Sequence, residues 1–131
     1  MQVTGVSHAA FTVTDLQRSK QWYERVLDWS AVFEGDGPGL RFSVGALPGG
    51  LLIALREYEE ADRSPFEPTR VGLDHLALLV PVEELDAWER RFTDLGVLHD
   101  PVQETPFGPV LNFKDPDGIA LELTAPISDS G

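Results

Sequence analysis

Halfway along its 131 residues the chain begins again. Gly5-Val6-Ser7-His8 returns as Gly72-Leu73-Asp74-His75, an offset of 67. Trp22 returns as Trp88, and Pro48-Gly49-Gly50-Leu51 as Pro116-Asp117-Gly118-Ile119, at offsets of 66 and 68. Three landmarks in one order at a nearly constant offset imply one supersecondary unit used twice.

Each copy reads as βαβββ. Val3 to Val13 is β-branched and aromatic, which favours a strand. Thr14-Asp15 offers an N-cap, and Asp15 to Asp28 carries a helical stripe of Leu16, Ser19, Trp22, Tyr23, Val26 and Leu27. Strands are expected at Ser30 to Glu34, Leu40 to Val44 and Leu51 to Arg56, with turns at Gly35 to Gly39 and Pro48 to Gly50. A polar, proline-broken linker, 57–70, separates the modules. The second runs as a strand over Gly72 to Val80 and a helix over Val82 to Leu95, with Leu85, Trp88, Phe92 and Leu95 on one face. Gly96 ends that helix. Strands follow at Leu98 to Gln103, Pro109 to Lys114 and Ile119 to Thr124.

The expected fold is therefore α+β: two tandem βαβββ modules, 1–56 and 71–126, forming curved mixed sheets around a shared concave pocket with helices outside. Residues 1–126 make one domain, and Ile127 to Gly131 read as a frayed tail.

Strand alternation puts side chains two apart on one face. His8, Ala10 and Thr12 share a face, as do His75, Ala77 and Leu79, and Ala120, Glu122 and Thr124. If Phe11/Val13, Leu76/Leu78/Val80 and Leu121/Leu123 pack under the helices, His8, His75 and Glu122 line the concavity. Two imidazoles and a carboxylate on strands suit a divalent ion with open positions. Glu122 stands in the apolar run Ile119 to Leu123, where a buried carboxylate needs a partner; the other reading leaves it in solvent on the outer side of a half-exposed strand. The chain has no cysteine, so disulfides and thiolate ligands are excluded.

Charge narrows the partners. Ten basic against 22 acidic residues leave a net charge of −12, which argues against nucleic acid and anionic membranes. No apolar run is long enough to span a bilayer or form a signal-peptide core, and a cytoplasmic protein is expected.

The segments Val6 to Val13 with Asp15-Leu16, Trp22-Tyr23, Asp74 to Ala77 and Asp115 to Leu123 together resemble the vicinal-oxygen-chelate superfamily. That group takes in glyoxalase I, fosfomycin-resistance proteins, extradiol dioxygenases and bleomycin-binding proteins. The resemblance covers about Val3 to Pro126. It implies metal ligation by His8, His75 and Glu122, with iron, manganese, zinc, nickel or cobalt as the ion, and a homodimer whose modules pair within a chain or are swapped between chains. The fourth family position falls on Ala54, which cannot ligate, so ordinary glyoxalase I is not expected. Arg56 shares a strand face with Ala54, where it either pairs with an anionic substrate group or is an exposed strand-end arginine.

Two functions are compatible with these residues. One is a metal-dependent lyase, isomerase, transferase or dioxygenase that binds a small substrate through two neighbouring oxygens and stabilises an enolate or oxyanion. Glu104, Tyr23 and His99 are its candidate acid/base residues. The other is a sequestering protein similar to bleomycin-resistance proteins, holding a cationic antibiotic with carboxylates and aromatic faces. Retention of all three ligand-type residues favours the enzyme.

Overall fold

The computed structural model describes residues 1–125 and divides into two compact units, 1–64 and the remainder beginning at Pro65. The expected tail, Ile127 to Gly131, lies outside the described residues. Each unit is a four-stranded mixed sheet with one principal helix, so the architecture is α+β in two tandem βαβββ modules.

In the first unit, β1 (His8–Thr12) pairs in parallel with β4 (Leu52–Tyr58). Antiparallel β3 (Leu40–Ala46) and β2 (Ser30–Gly37) complete the order β1-β4-β3-β2. The helix α1 (Leu16–Leu27) is capped by Asp15, whose carboxylate accepts from the Arg18 amide. Asp28, in the left-handed region at φ 56°, ends it. Ser19, Trp22, Tyr23, Val26 and Leu27 are its buried stripe; Tyr23 meets Phe11 of β1, and Val13, Ile53 and Leu55 are buried in the same unit.

Trp29 is sealed into this core, and its indole N–H donates to the Ile53 carbonyl at 3.0 Å. Its ring occupies the space beside Gly45, where a Cβ would stand 2.2 Å from Cε2 of the indole. Gly45 is there because nothing larger fits.

The second unit repeats the plan with β5 (Leu76–Leu79), β6 (Gln103–Thr105), β7 (Gly108–Lys114) and β8 (Ala120–Thr124) in the order β5-β8-β7-β6. A 3-10 turn, Val82–Glu84, leads into α2 (Leu85–Leu95), which Gly96 closes in the left-handed region. Phe92 of α2 stacks on Phe113 of β7 with centroids 4.5 Å apart.

The repeat is visible in hydrogen bonds as well as in side chains. Leu47 N–H donates to Leu51 O and Gly50 N–H to Leu47 O. Asp115 N–H donates to Ile119 O and Gly118 N–H to Asp115 O in the same pattern 68 positions on. Gly50 and Gly118 both sit at positive φ, 102° and 80°, which the turn requires.

Several elements depart from expectation. The opening strand starts at His8 rather than Val3, and β5 at Leu76 rather than Gly72, because the residues before them have no ladder partner. The strand β2 runs on through Gly35-Asp36-Gly37, so the turn is only Pro38-Gly39. The strand β4 continues to Tyr58, two residues into the expected linker. The strand expected at Leu98 to Gln103 contributes only a single bridge, His99 to Phe113, and the true β6 lies at Gln103–Thr105.

Candidate functional site

Alternation on β8 buries Leu121 and Leu123 and turns Ala120, Glu122 and Thr124 to the other face. Glu122 is paired in register with Ala77 of β5 and Asn112 of β7, so its carboxylate rises from the middle of the sheet. Its side chain is 17 % exposed.

His75 stands one residue before β5, and its Nε2 lies 3.9 Å from Glu122 Oε2. Its Nδ1 is 2.8 Å from Asp74 Oδ1. The preceding residue thus engages one ring nitrogen and leaves the other facing the carboxylate. Ligands held at about 2.0–2.2 Å from an ion stand roughly 3–3.5 Å apart, so a small rotation of the half-exposed imidazole brings this pair into range.

Both groups line a concavity of about 580 Å³ with Leu79, Phe107, Val110, Thr105 and Thr124. The Thr105 hydroxyl donates to Gly108 O and accepts from the Phe107 amide, which fixes the hairpin carrying Phe107 over the site. The Thr124 hydroxyl donates to Pro109 O. The lining of the concavity thus combines apolar side chains with two threonines and the two ligand-type groups, a mixture found in small-molecule sites. Thr105 and Phe107 have no signature in the sequence, because the apolar pattern favours a strand at Leu98 to Gln103 whereas β6 lies at Gln103–Thr105.

In the first unit His8 repeats the arrangement. It precedes Ala9, the partner of Ile53, as His75 precedes Leu76, the partner of Leu121. Its Nδ1 lies 2.9 Å from the hydroxyl of the preceding Ser7. The register also identifies the counterpart of Glu122: Ala10 pairs with Ala54 as Ala77 pairs with Glu122. A methyl group replaces the carboxylate there, so the first unit carries one ligand-type side chain at these positions and the second carries two. Among the described residues no three His, Cys, Asp or Glu side chains are gathered closely enough to hold an ion.

Arg56 shares the Ala54 face of β4, two residues along, as expected from alternation. Its Nε donates to Tyr58 Oη at 2.9 Å.

The three acid/base candidates lie apart from the His75–Glu122 pair. Tyr23 is fully buried on α1, with its ring against Phe11 and Trp22. His99 pairs with Phe113, on the helix side of the sheet, opposite the face that carries Glu122. Its nitrogens are engaged by Thr93 Oγ1 at 2.9 Å and Asp100 O at 2.8 Å. Glu104 is exposed on the edge strand, and alternation turns it away from the face of Thr105.

Comparison with known proteins agrees with this architecture. A family model, the Glyoxalase/Bleomycin resistance protein/Dioxygenase superfamily, matches residues 5–123. A glyoxylase/bleomycin resistance protein/dioxygenase domain from Frankia sp. EAN1pec superposes with a TM-score of 0.90 at 44% identity, covering 95% of this chain and 99% of that one. Metallothiol transferase FosB from Bacillus licheniformis is 27% identical over 129 residues, 93% of this chain and 75% of its own length. The fosfomycin resistance protein FosX from Listeria monocytogenes shares the fold, with a TM-score of 0.78 at 24% identity over 95% of this chain and 94% of its own. FosX has also been solved with Mn(II) and sulfate.

Proposed function

Since the chain belongs to the glyoxalase/bleomycin resistance/dioxygenase superfamily, we propose that it is a metal-dependent enzyme. In this reading His75, Glu122 and His8 hold a divalent ion, and a small substrate binds through two neighbouring oxygens. The observation that carries it is the His75–Glu122 pair, 3.9 Å apart at an apolar concavity. A carboxylate standing in mid-sheet beside an imidazole whose far nitrogen is already engaged has the form of a ligand pair. His8, engaged in the same way by Ser7, is the third donor, from this chain or from a second copy in a homodimer.

The bound ion would supply Lewis acidity, stabilising negative charge that develops on a substrate oxygen. The chain's own residues do the rest. Asp74 and Ser7 fix the imidazole planes. Leu79, Phe107 and Val110 supply apolar surface beside the two donors, against which the carbon frame of a substrate can rest. Arg56 receives an anionic substrate group.

Metallothiol transferase FosB makes group transfer the first class to assay, with lyase, isomerase and dioxygenase chemistry after it. Manganese, iron, zinc, nickel and cobalt all accept two histidines and a carboxylate.

The test is elemental analysis of protein purified without chelator, together with His75→Ala, Glu122→Ala and His8→Ala. Near-stoichiometric metal in the parent and its loss in all three variants is the expected result. A parent that takes up none of these ions on reconstitution overturns the proposal.

A further inference from the structure

The open face of the first sheet carries one cation in a setting that its acidic surroundings do not explain. Arg56 lies between Thr12 on β1 and Phe42 on β3 in register. Its guanidinium stands 5.8 Å from the centroid of Phe42 and 5.6 Å from that of Tyr58, and its Nε donates to the Tyr58 hydroxyl. The two rings, one of them also through its hydroxyl, thus orient the fork.

The acidic neighbours do not neutralise it. Glu57 alternates to the helix side of the sheet, where it binds the Leu16 amide and Arg41. Among the described residues the two terminal nitrogens of Arg56 have no protein partner, in a chain with a net charge of −12. A fork oriented in this way with its outer donors unused suits a planar oxyanion, since part of the cost of ordering the arginine is met by these contacts.

Beside it lies an apolar shelf. Phe42 packs on Phe33 with centroids 5.7 Å apart, and Phe33 is 61% exposed. Gly35 makes room for the Phe42 ring: a Cβ there would stand 2.8 Å from its Cζ.

We propose that Arg56 is the anchor for an oxyanion, a carboxylate first, on a ligand whose planar or aromatic body lies on the Phe42–Phe33 shelf. The inference rests on the enzyme reading for its meaning, because it defines a second contact point for the substrate. Leu52, the register partner of His8, is four residues from Arg56, about 13 Å along the strand at 3.3 Å per residue. The substrate therefore carries an anionic group well removed from the oxygen pair that meets the metal.

The test uses benzoate as probe against benzamide, which keeps the ring without the charge, and acetate, which keeps the charge without the ring. Each is titrated into the ¹⁵N-labelled full chain, metal-loaded and chelator-treated, as the parent, Arg56→Gln and Arg56→Lys. The parent is expected to bind benzoate at least tenfold more tightly than either control, with amide shifts centred on Thr12, Ala54 and Arg56. Arg56→Gln loses that preference, and Arg56→Lys, charged but without the fork, falls between. Equal binding of benzoate by Arg56→Gln, equal binding of benzamide by the parent, or shifts centred elsewhere would each overturn the proposal. Benzoate binding that survives chelation in a protein unable to take up metal leaves the anchor standing and removes the enzyme reading instead.

Discussion

Asp74 Oδ1 sits 2.8 Å from Nδ1 of His75, and Ser7 Oγ sits 2.9 Å from Nδ1 of His8. The same ring atom is engaged by the preceding residue in both modules, once by a carboxylate and once by a hydroxyl. A carboxylate partner fixes the ring and raises its basicity more than a neutral one does. Asp74→Ala is expected to weaken metal affinity about 10–100-fold, and Ser7→Ala by less. Competition with a metallochromic chelator measures both. Parent-like affinity in Asp74→Ala would show that the contact does not tune the ligand.

Ser19 presents the opposite case, a buried polar group with no hydrogen-bond partner among the described residues. Its hydroxyl is completely buried in α1. Such a group carries a desolvation penalty of roughly 1–3 kcal/mol. Alanine removes it, has the higher helix propensity and leaves only a small void. Ser19→Ala should therefore be neutral or raise stability by about 1 kcal/mol, read from urea denaturation. A loss above ~1 kcal/mol would mean that the hydroxyl has a partner in solution.

The modules were legible because their landmarks are chemical. Histidine at the start of the first strand, tryptophan on the helix, and proline and glycine in the last turn hold equivalent places in the two units, so they recur at a nearly fixed offset. The alternation that put Glu122 opposite Leu121 and Leu123 survives in the burial pattern of β8. Boundaries were less legible. Glycines at 35 and 37 read as a turn, yet β2 passes through them because Phe42 of the neighbouring strand fills the space that a side chain at 35 would need. Residue type alone does not tell which face of a sheet an acid/base group serves. Tyr23 and His99 are polar groups serving the helix side of their sheets, and only register separates that side from the open one.

The contact between Trp29 and Gly45 predicts the most damaging single methyl group in the first unit. A Cβ at position 45 would lie 2.2–2.5 Å from three indole atoms, far inside van der Waals contact. The indole cannot retreat, since its N–H is bonded to Ile53 O and its ring is 1% exposed. Overpacking typically costs about 1–3 kcal/mol, and Gly45→Ala is expected at or above the upper end. Thermal unfolding followed by tryptophan emission checks this, with a red shift as Trp29 is displaced. An unchanged Tm would mean that Trp29 has a second accessible packing.

Glu57 ties the end of β4 to the start of α1. Its Oε2 accepts the Leu16 amide at 2.6 Å, and its Oε1 pairs with Arg41. That amide is one of the helix's unsatisfied first-turn donors, so a negative charge there meets both a hydrogen bond and the positive end of the helix dipole. The amide hydrogen bond, and then Arg41, hold the Glu57 carboxyl below its ordinary value of 4.5. Because the folded-state value is the lower one, the stabilisation is complete above about pH 4.5 and is lost as pH falls through the lowered value. Glu57→Gln keeps a weaker hydrogen bond and loses the charge, and is expected to cost about 1–2 kcal/mol at pH 7. The deficit should shrink towards pH 3, where the parent carboxyl is itself being protonated. Urea unfolding at pH 7, 5 and 3 measures the difference. A deficit that stays constant across that range would assign the effect to packing rather than to charge.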